Sequence, residues 1–190
     1  MLYVFIVTVA ALLLSAVVTL VSGENAFAIL AYTALAVAAV VLIDAITATV
    51  CRLLPKQCAN HQKKIFQVSA KEKKFYEKLN IRKWKDKIPE IGQFTGFRKN
   101  KLDQPNNLQY VERFLLESCY GEIGHTVSCV AGFAILGLFF ITPLWWGIAI
   151  PVAVVNAFMN LPSLFILRYN AYKLEILHKS ILKKQEKQGA

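Results

Sequence analysis

Lysine and arginine are missing from most of this chain. None of the 22 lies before Arg52 or between Arg113 and Arg168, whereas a soluble domain of 190 residues scatters its charges over the whole surface. Leu2–Val21 carries no charge, and Val127–Leu167 has no acid, base or histidine. Also lacking are a Walker motif, a dinucleotide-binding glycine pattern and a nucleophile elbow, which removes the P-loop, Rossmann and α/β-hydrolase readings. The four cysteines, at 51, 58, 119 and 129, contain no C-x-x-C pair. Cys51, Cys58 and His61 are zinc donors by type, but the spacing is wrong and a fourth ligand is missing, so no metal is expected. No internal repeat or low-complexity tract is present.

What remains is apolar: 56% of the residues are hydrophobic. A bilayer-spanning helix needs about 20 apolar residues, because the hydrocarbon core is about 30 Å thick and a helix rises about 1.5 Å per residue. Two regions meet that length twice. In the first, spans 2–21 and 26–50 flank the turn Ser22-Gly23-Glu24-Asn25, and the second span is interrupted only by Asp44. The first span lacks a basic leader and is longer than a signal-peptide core, so it is expected to stay. In the second region, spans 120–141 and 144–167 meet at Thr142-Pro143, with Trp145 and Trp146 placed for the membrane–water interface.

Sixteen of the bases lie between Arg52 and Arg113 and six between Arg168 and Lys187. The positive-inside rule then puts loop, tail and both termini in the cytoplasm. The net charge of +10 suits anionic lipid headgroups, and no nucleic-acid partner is expected. The expected fold is all-α: a polytopic membrane protein of four transmembrane helices in two hairpins, residues 1–51 and 119–168, with a basic cytoplasmic loop at 52–118 and a basic tail at 169–190. The loop has too few large apolar residues for a core of its own. Amphipathic helices lying on the membrane are expected at Gln62–Tyr76, with Ile65, Phe66 and Val68 on the apolar face, and at Leu108–Leu116, with Val111, Phe114 and Leu115. Pro89, Gly92, Gly96, Pro105 and Asn106-Asn107 punctuate the stretch between them.

The third span carries the chemistry. Started at Val127 and ended at Ile141 it would be about 22 Å long, too short to cross, so it must begin near Tyr120. Glu122 and His125 then fall inside the cytoplasmic leaflet on one helix face with Cys129, and Glu117 lies beside them. A carboxylate three residues before an imidazole can accept one ring N–H and leave the other nitrogen to take a proton, which is an acid/base arrangement. The structural alternative pairs the two with each other or with Arg168. In the fourth span Asn156 and Asn160 sit one turn apart, as interhelical hydrogen-bond partners or as a polar cleft facing the third span. Arg168 is a phosphate or carboxylate fork, or an interfacial anchor. Asp44 is expected to be the interhelical partner of a base. Cations alternate around Trp84 in Arg82-Lys83-Trp84-Lys85, a pattern for lipid headgroups or for the phosphates of a donor.

The order Arg82-Lys83-Trp84-Lys85 with Pro89, Glu112-Arg113, Glu117, Glu122 and His125, Asn160-Leu161-Pro162 and Arg168-Tyr169-Asn170 resembles the glycosyl-4,4'-diaponeurosporenoate acyltransferase family over about Phe75 to Lys184. The family pattern reads E-x-x-R-A-E-L-x-H-W, then N-x-P, then Q-R-Y-N-R-P-R. This chain has Tyr120-Gly121, Thr126 and Ala171-Tyr172-Lys173 where the family has Arg-Ala, Trp and Arg-Pro-Arg, and these departures leave the acceptor open. The resemblance implies a membrane-embedded O-acyltransferase that moves a fatty acyl chain to a sugar hydroxyl of a membrane glycolipid or glycosylated isoprenoid. On that footing His125 is the expected base, with Glu122 orienting it and Glu117 beside it. Lys83, Trp84, Lys85, Asn156, Asn160, Arg168, Tyr169 and Asn170 are the expected substrate-binding residues. The donor would be acyl-CoA or acyl carrier protein, with no bound cofactor. A non-enzymatic protein that uses its basic loop to hold anionic lipid or a partner is the competing expectation.

Overall fold

The structure is a computed structural model that describes residues 2–88 and 102–188; the expected turn residues Pro89, Gly92 and Gly96 lie outside them. Among the described residues it is all-helical: α1 (Leu2–Ser22), α2 (Ala26–Leu53), α3 (Ala70–Lys78), α4 (Ile81–Trp84), α5 (Leu108–Ala131) and α6 (Trp145–Gln188), with 3-10 turns at Lys85–Lys87 and Gly132–Leu138. Four helical stretches, led by α1, α2, α5 and α6, are long and apolar enough to cross a membrane. The chain divides into two compact units. The first is Met1–Val50 with Gly124–Leu161, and the second is Cys51–Ile123 with Pro162–Ala190.

In the first unit the turn between α1 and α2 forms as the sequence requires. Gly23 takes φ +70°, which a side chain would resist, and its N–H closes on Thr19 O at 2.9 Å. Asn25 Oδ1 then caps α2 by accepting from the N–H groups of Phe27 and Ala28. Ser15 donates to Thr33 Oγ1 at 3.0 Å and ties α1 to α2 by a buried bond, the kind of link that holds helices together where water cannot compete. The apolar core joins Ala36 and Val40 of α2, Ile135 of the 3-10 turn, and Trp145, Ile148 and Val152 of α6.

One expectation for this region needs correction. Trp145 is not an interfacial anchor but is fully buried, because its indole N–H finds the carbonyl of Ile135 at 2.8 Å; Trp146, half exposed, stacks on Phe139. α5 runs through Tyr120 and Val127 to Ala131 without a break. Beyond α5 the chain tightens into 3-10 geometry, which rises about 2.0 Å per residue, so residues 124–138 reach about 26 Å instead of the about 22 Å of a pure α-helix.

The second unit supplies the core that the loop lacks by recruiting the tail. α6 runs unbroken for 44 residues, about 66 Å, and neither Pro151 nor Pro162 ends it. Leu174 and Ile181 of its far half pack on Val111, Phe114 and Leu115 of α5, so these three residues are core and not a face laid on a membrane. The segment expected as a helix from Gln62 forms turns up to Phe66 and an irregular stretch to Ser69 instead, because Asn60 Oδ1 accepts from the Gln62 N–H and Ser69 Oγ caps a later helix at the N–H of Glu72. Phe66 from those turns is buried with Ala59, Cys119 and Tyr120.

Candidate functional site

The division of the chain at Ile123/Gly124 places Glu122 and His125 in different units, and each has its own partner. In the first unit His125 Nδ1 lies 2.8 Å from Asn160 Oδ1. The Asn160 amide in turn donates through Nδ2 to Asp44 Oδ2 at 3.1 Å and to the main-chain oxygen of Asn156 at 3.1 Å. Asn156 Nδ2 donates to Asp44 Oδ1 at 3.3 Å. Asp44 thus takes one amide on each oxygen. Both Asn residues are buried, and His125 and Asp44 are half-buried.

This chain of bonds has a direction. Because both Asn160 donor contacts fix its NH2 end, its oxygen must face the imidazole and accept the Nδ1 proton. The tautomer so held carries its lone pair on Nε2, the nitrogen that can act as a base. Cys129 Sγ packs 3.5 Å from Ala157 O beside the cluster. Gly132 allows the close approach, since a Cβ there would come within 2.6 Å of Asn156 Nδ2.

In the second unit Arg168 is the hub. Its Nε and Nη2 grip Glu72 bidentately, with Nη2–Oε2 at 3.0 Å; Nη1 donates to Glu122 Oε2 and to Ile65 O, each at 2.9 Å. The Arg168 guanidinium holds the Glu72 carboxyl below the usual carboxylate range, and the Tyr76 hydroxyl, which donates to Glu72 Oε1 at 2.7 Å, is pushed up by its own burial. Glu122 is buried, and its Oε1 and the Ser118 hydroxyl one turn earlier have no hydrogen-bond partner among the described residues. Elsewhere in this unit His61 pairs with Glu175 and stands edge-on to His178, which lies 3.4 Å from Glu112.

The expected site residues are therefore sorted into two groups. His125, Asn156 and Asn160 come together on Asp44. Glu122 meets Arg168, which also holds Glu72, and four donor contacts of Arg168 are met by the protein. Glu117 and Asn170 are half-buried; Tyr169 is buried with Tyr76, Ile81 and Ile166, under the Lys173 ammonium at 4.5 Å. Lys83 is exposed and Lys85 half-buried, while Trp84 donates its indole N–H to Leu79 O at 2.9 Å. Cys51 is buried and Cys58 exposed. Two participants escaped the sequence reading. Glu72 was signalled by Ser69-x-x-Glu72, the pattern of a helix-start capping box, and Gly132 by nothing short of the packing.

The fold and this cluster define an all-helical membrane protein with a carboxylate–amide–imidazole chain among its spans. Residues 61–180 match the family of glycosyl-4,4'-diaponeurosporenoate acyltransferase, and the chain belongs to that family. No curated protein and no solved structure matches it.

Proposed function

We propose that this protein is an O-acyltransferase that moves a fatty acyl chain from a thioester to a sugar hydroxyl of a membrane glycolipid or glycosylated isoprenoid, with His125 as the base. The observation that carries this reading is the Asp44–Asn160–His125 chain, which fixes the ring and its tautomer. Nε2 takes the proton of the acceptor hydroxyl, and the oxygen attacks the thioester carbonyl. The C–S bond then breaks, and the thiolate leaves with the proton returned by the imidazolium. Asp44, acting through Asn160, favours the transient positive charge. Glu122, bound to Arg168, positions α5 and does not touch the reacting atoms. With Arg168 committed to Glu72 and Glu122, the phosphates of an acyl-CoA or acyl carrier protein donor fall to Lys83 and Lys85, with Trp84 as their anchor.

The reaction is assigned to the cytoplasmic face of the cell membrane, because all 22 bases lie outside the two short turns. A cysteine at Glu24 should react with an impermeant thiol reagent from outside, and one at Lys187 should not. The function itself is tested by mass spectrometry of membrane lipids from cells with and without the protein. A new acylated glycolipid supports it. An unchanged lipid profile alongside anionic-vesicle binding by the protein returns it to the non-enzymatic class.

A further inference from the structure

The first unit contains a cleft that the proposed chemistry does not use. It has a volume of about 310 Å³ and is bounded by α1, α2 and α6. Ala11 and Leu14 form one wall, Val37 the second, and Val152, Asn156 and Met159 the third. No aromatic ring lines it, and α1 contributes Ala10 and Ala11, whose small side chains leave the gap open. All three helices are candidate membrane spans, so the space lies at the level of hydrocarbon. Along α6 it extends from Pro151 to Met159, about 12 Å at the helical rise.

Its one strongly polar wall is informative. Asn156 closes the cleft on the side of Asp44, and Asn160, the partner of His125, follows Met159 directly in the chain. We propose that this cleft binds a single fatty acyl chain, with its carbonyl end at Asn156 and its tail directed toward Pro151. The inference rests on the acyl-transfer reading for the identity of the chain. A flexible alkyl chain matches a mainly aliphatic lining without aromatic rings, Met159 can adjust to it, and the volume, at the low end for ligand pockets, suits one chain and not two. The cleft would then set acyl length, because only a chain that ends within it brings its carbonyl to the relay.

Two measurements test this, one with turnover and one without. Ala11→Phe, and independently Val37→Phe from the facing helix, should lower the ratio of rates for an 8-carbon over a 4-carbon acyl donor by about tenfold or more, the scale on which apolar pockets discriminate by size. An unchanged ratio in both folded variants overturns the assignment. The second measurement uses octanoic acid bearing a diazirine in its chain, photolysed on the reconstituted full-length protein. Label should concentrate on residues 7–14 and 151–159, compete with unlabelled octanoate and disappear in the two variants. Label spread evenly over α1 and α2 and indifferent to both variants means ordinary boundary lipid and sinks the proposal. Because labelling needs no turnover, cleft labelling in a protein that transfers no acyl chain keeps the binding site and removes the enzymatic reading alone.

Discussion

The two units treat buried polar groups in opposite ways. Every lysine and arginine of the chain belongs to the second unit, where Arg168 is surrounded by Glu72, Glu122 and a main-chain carbonyl. The first unit contains no lysine or arginine, and its carboxylate Asp44 is met by two neutral amides. A full ion pair is costly to desolvate and repays that cost only when every donor is met, which fastens helices but leaves the groups inert. Amides satisfy a carboxylate without neutralising it, so its charge still acts on the imidazole at the end of the chain. On the proposed reading the second unit holds position, and the first keeps a group able to exchange a proton.

The sharpest way to break this contrast is to remove the base. His125→Ala should reduce acyl transfer by about 10²-fold or more, the usual scale of general-base catalysis, with little change in thermal unfolding. Asn160→Ala should lose less, since Nε2 stays in place but the tautomer is no longer held. An unchanged rate in folded His125→Ala would put both units in the same structural role.

Arg168→Met probes the other side. It leaves the carboxylate of Glu122 buried beside an apolar chain, and removing one partner of a buried pair costs about 3–5 kcal/mol. Thermal unfolding in detergent should register that loss. If stability holds and only the dependence on donor concentration changes, Arg168 belongs to the donor site after all.

How much of this was legible follows the same division. Four apolar stretches, the turn at Gly23 and Asn25, and the presence of polar His125 and Asn160 within apolar helices can be read from hydropathy and from rare polar residues in apolar runs. The pairing could not. Helical spacing puts Glu122 one turn before His125, but which partner each takes depends on α2, α3 and α6, whose approach no local pattern specifies. Trp145 shows the same limit: composition places indoles at interfaces, whereas a bond to the Ile135 carbonyl holds this one in the core. The tail misled for a simpler reason. Its charges read as a solvated end, yet Leu174 and Ile181 recur on one face and complete the core that the loop lacks.

Gly132 offers a smaller perturbation of the first unit. An added methyl meets Asn156 Nδ2 at 2.6 Å, and that amide is held by Asp44, so it cannot swing aside without losing its bond. Gly132→Ala should cost about 1–3 kcal/mol by overpacking and lower the rate as the relay shifts. Pairing it with Asn156→Ala should restore part of the stability, because the clash is gone, but not the full rate. Strict additivity of the two single effects would show that the residues do not touch in solution.

The smallest expected effect concerns Glu72 and pH. Its carboxylate is gripped by Arg168 and accepts from Tyr76, so its folded pKa lies below the ordinary value of about 4.3. For a carboxyl with a depressed pKa the stabilisation is complete above the unfolded value and is lost as pH falls through the folded one, because the native state must then give up a bound anion. Glu72→Gln keeps the shape and one acceptor but no charge. At neutral pH it should be less stable than wild type by about 1 kcal/mol, the partial exposure of the pair keeping the figure low. As the solution is acidified below about pH 4 the wild-type advantage should shrink toward zero, since a protonated Glu72 and the amide of the variant then offer Arg168 much the same partner. Unfolding temperatures of the two proteins from pH 7 to pH 3 decide the matter. Curves that stay parallel throughout would mean that the charge of Glu72 contributes nothing to holding the second unit together, and that Arg168 is secured by Glu122 and Ile65 alone.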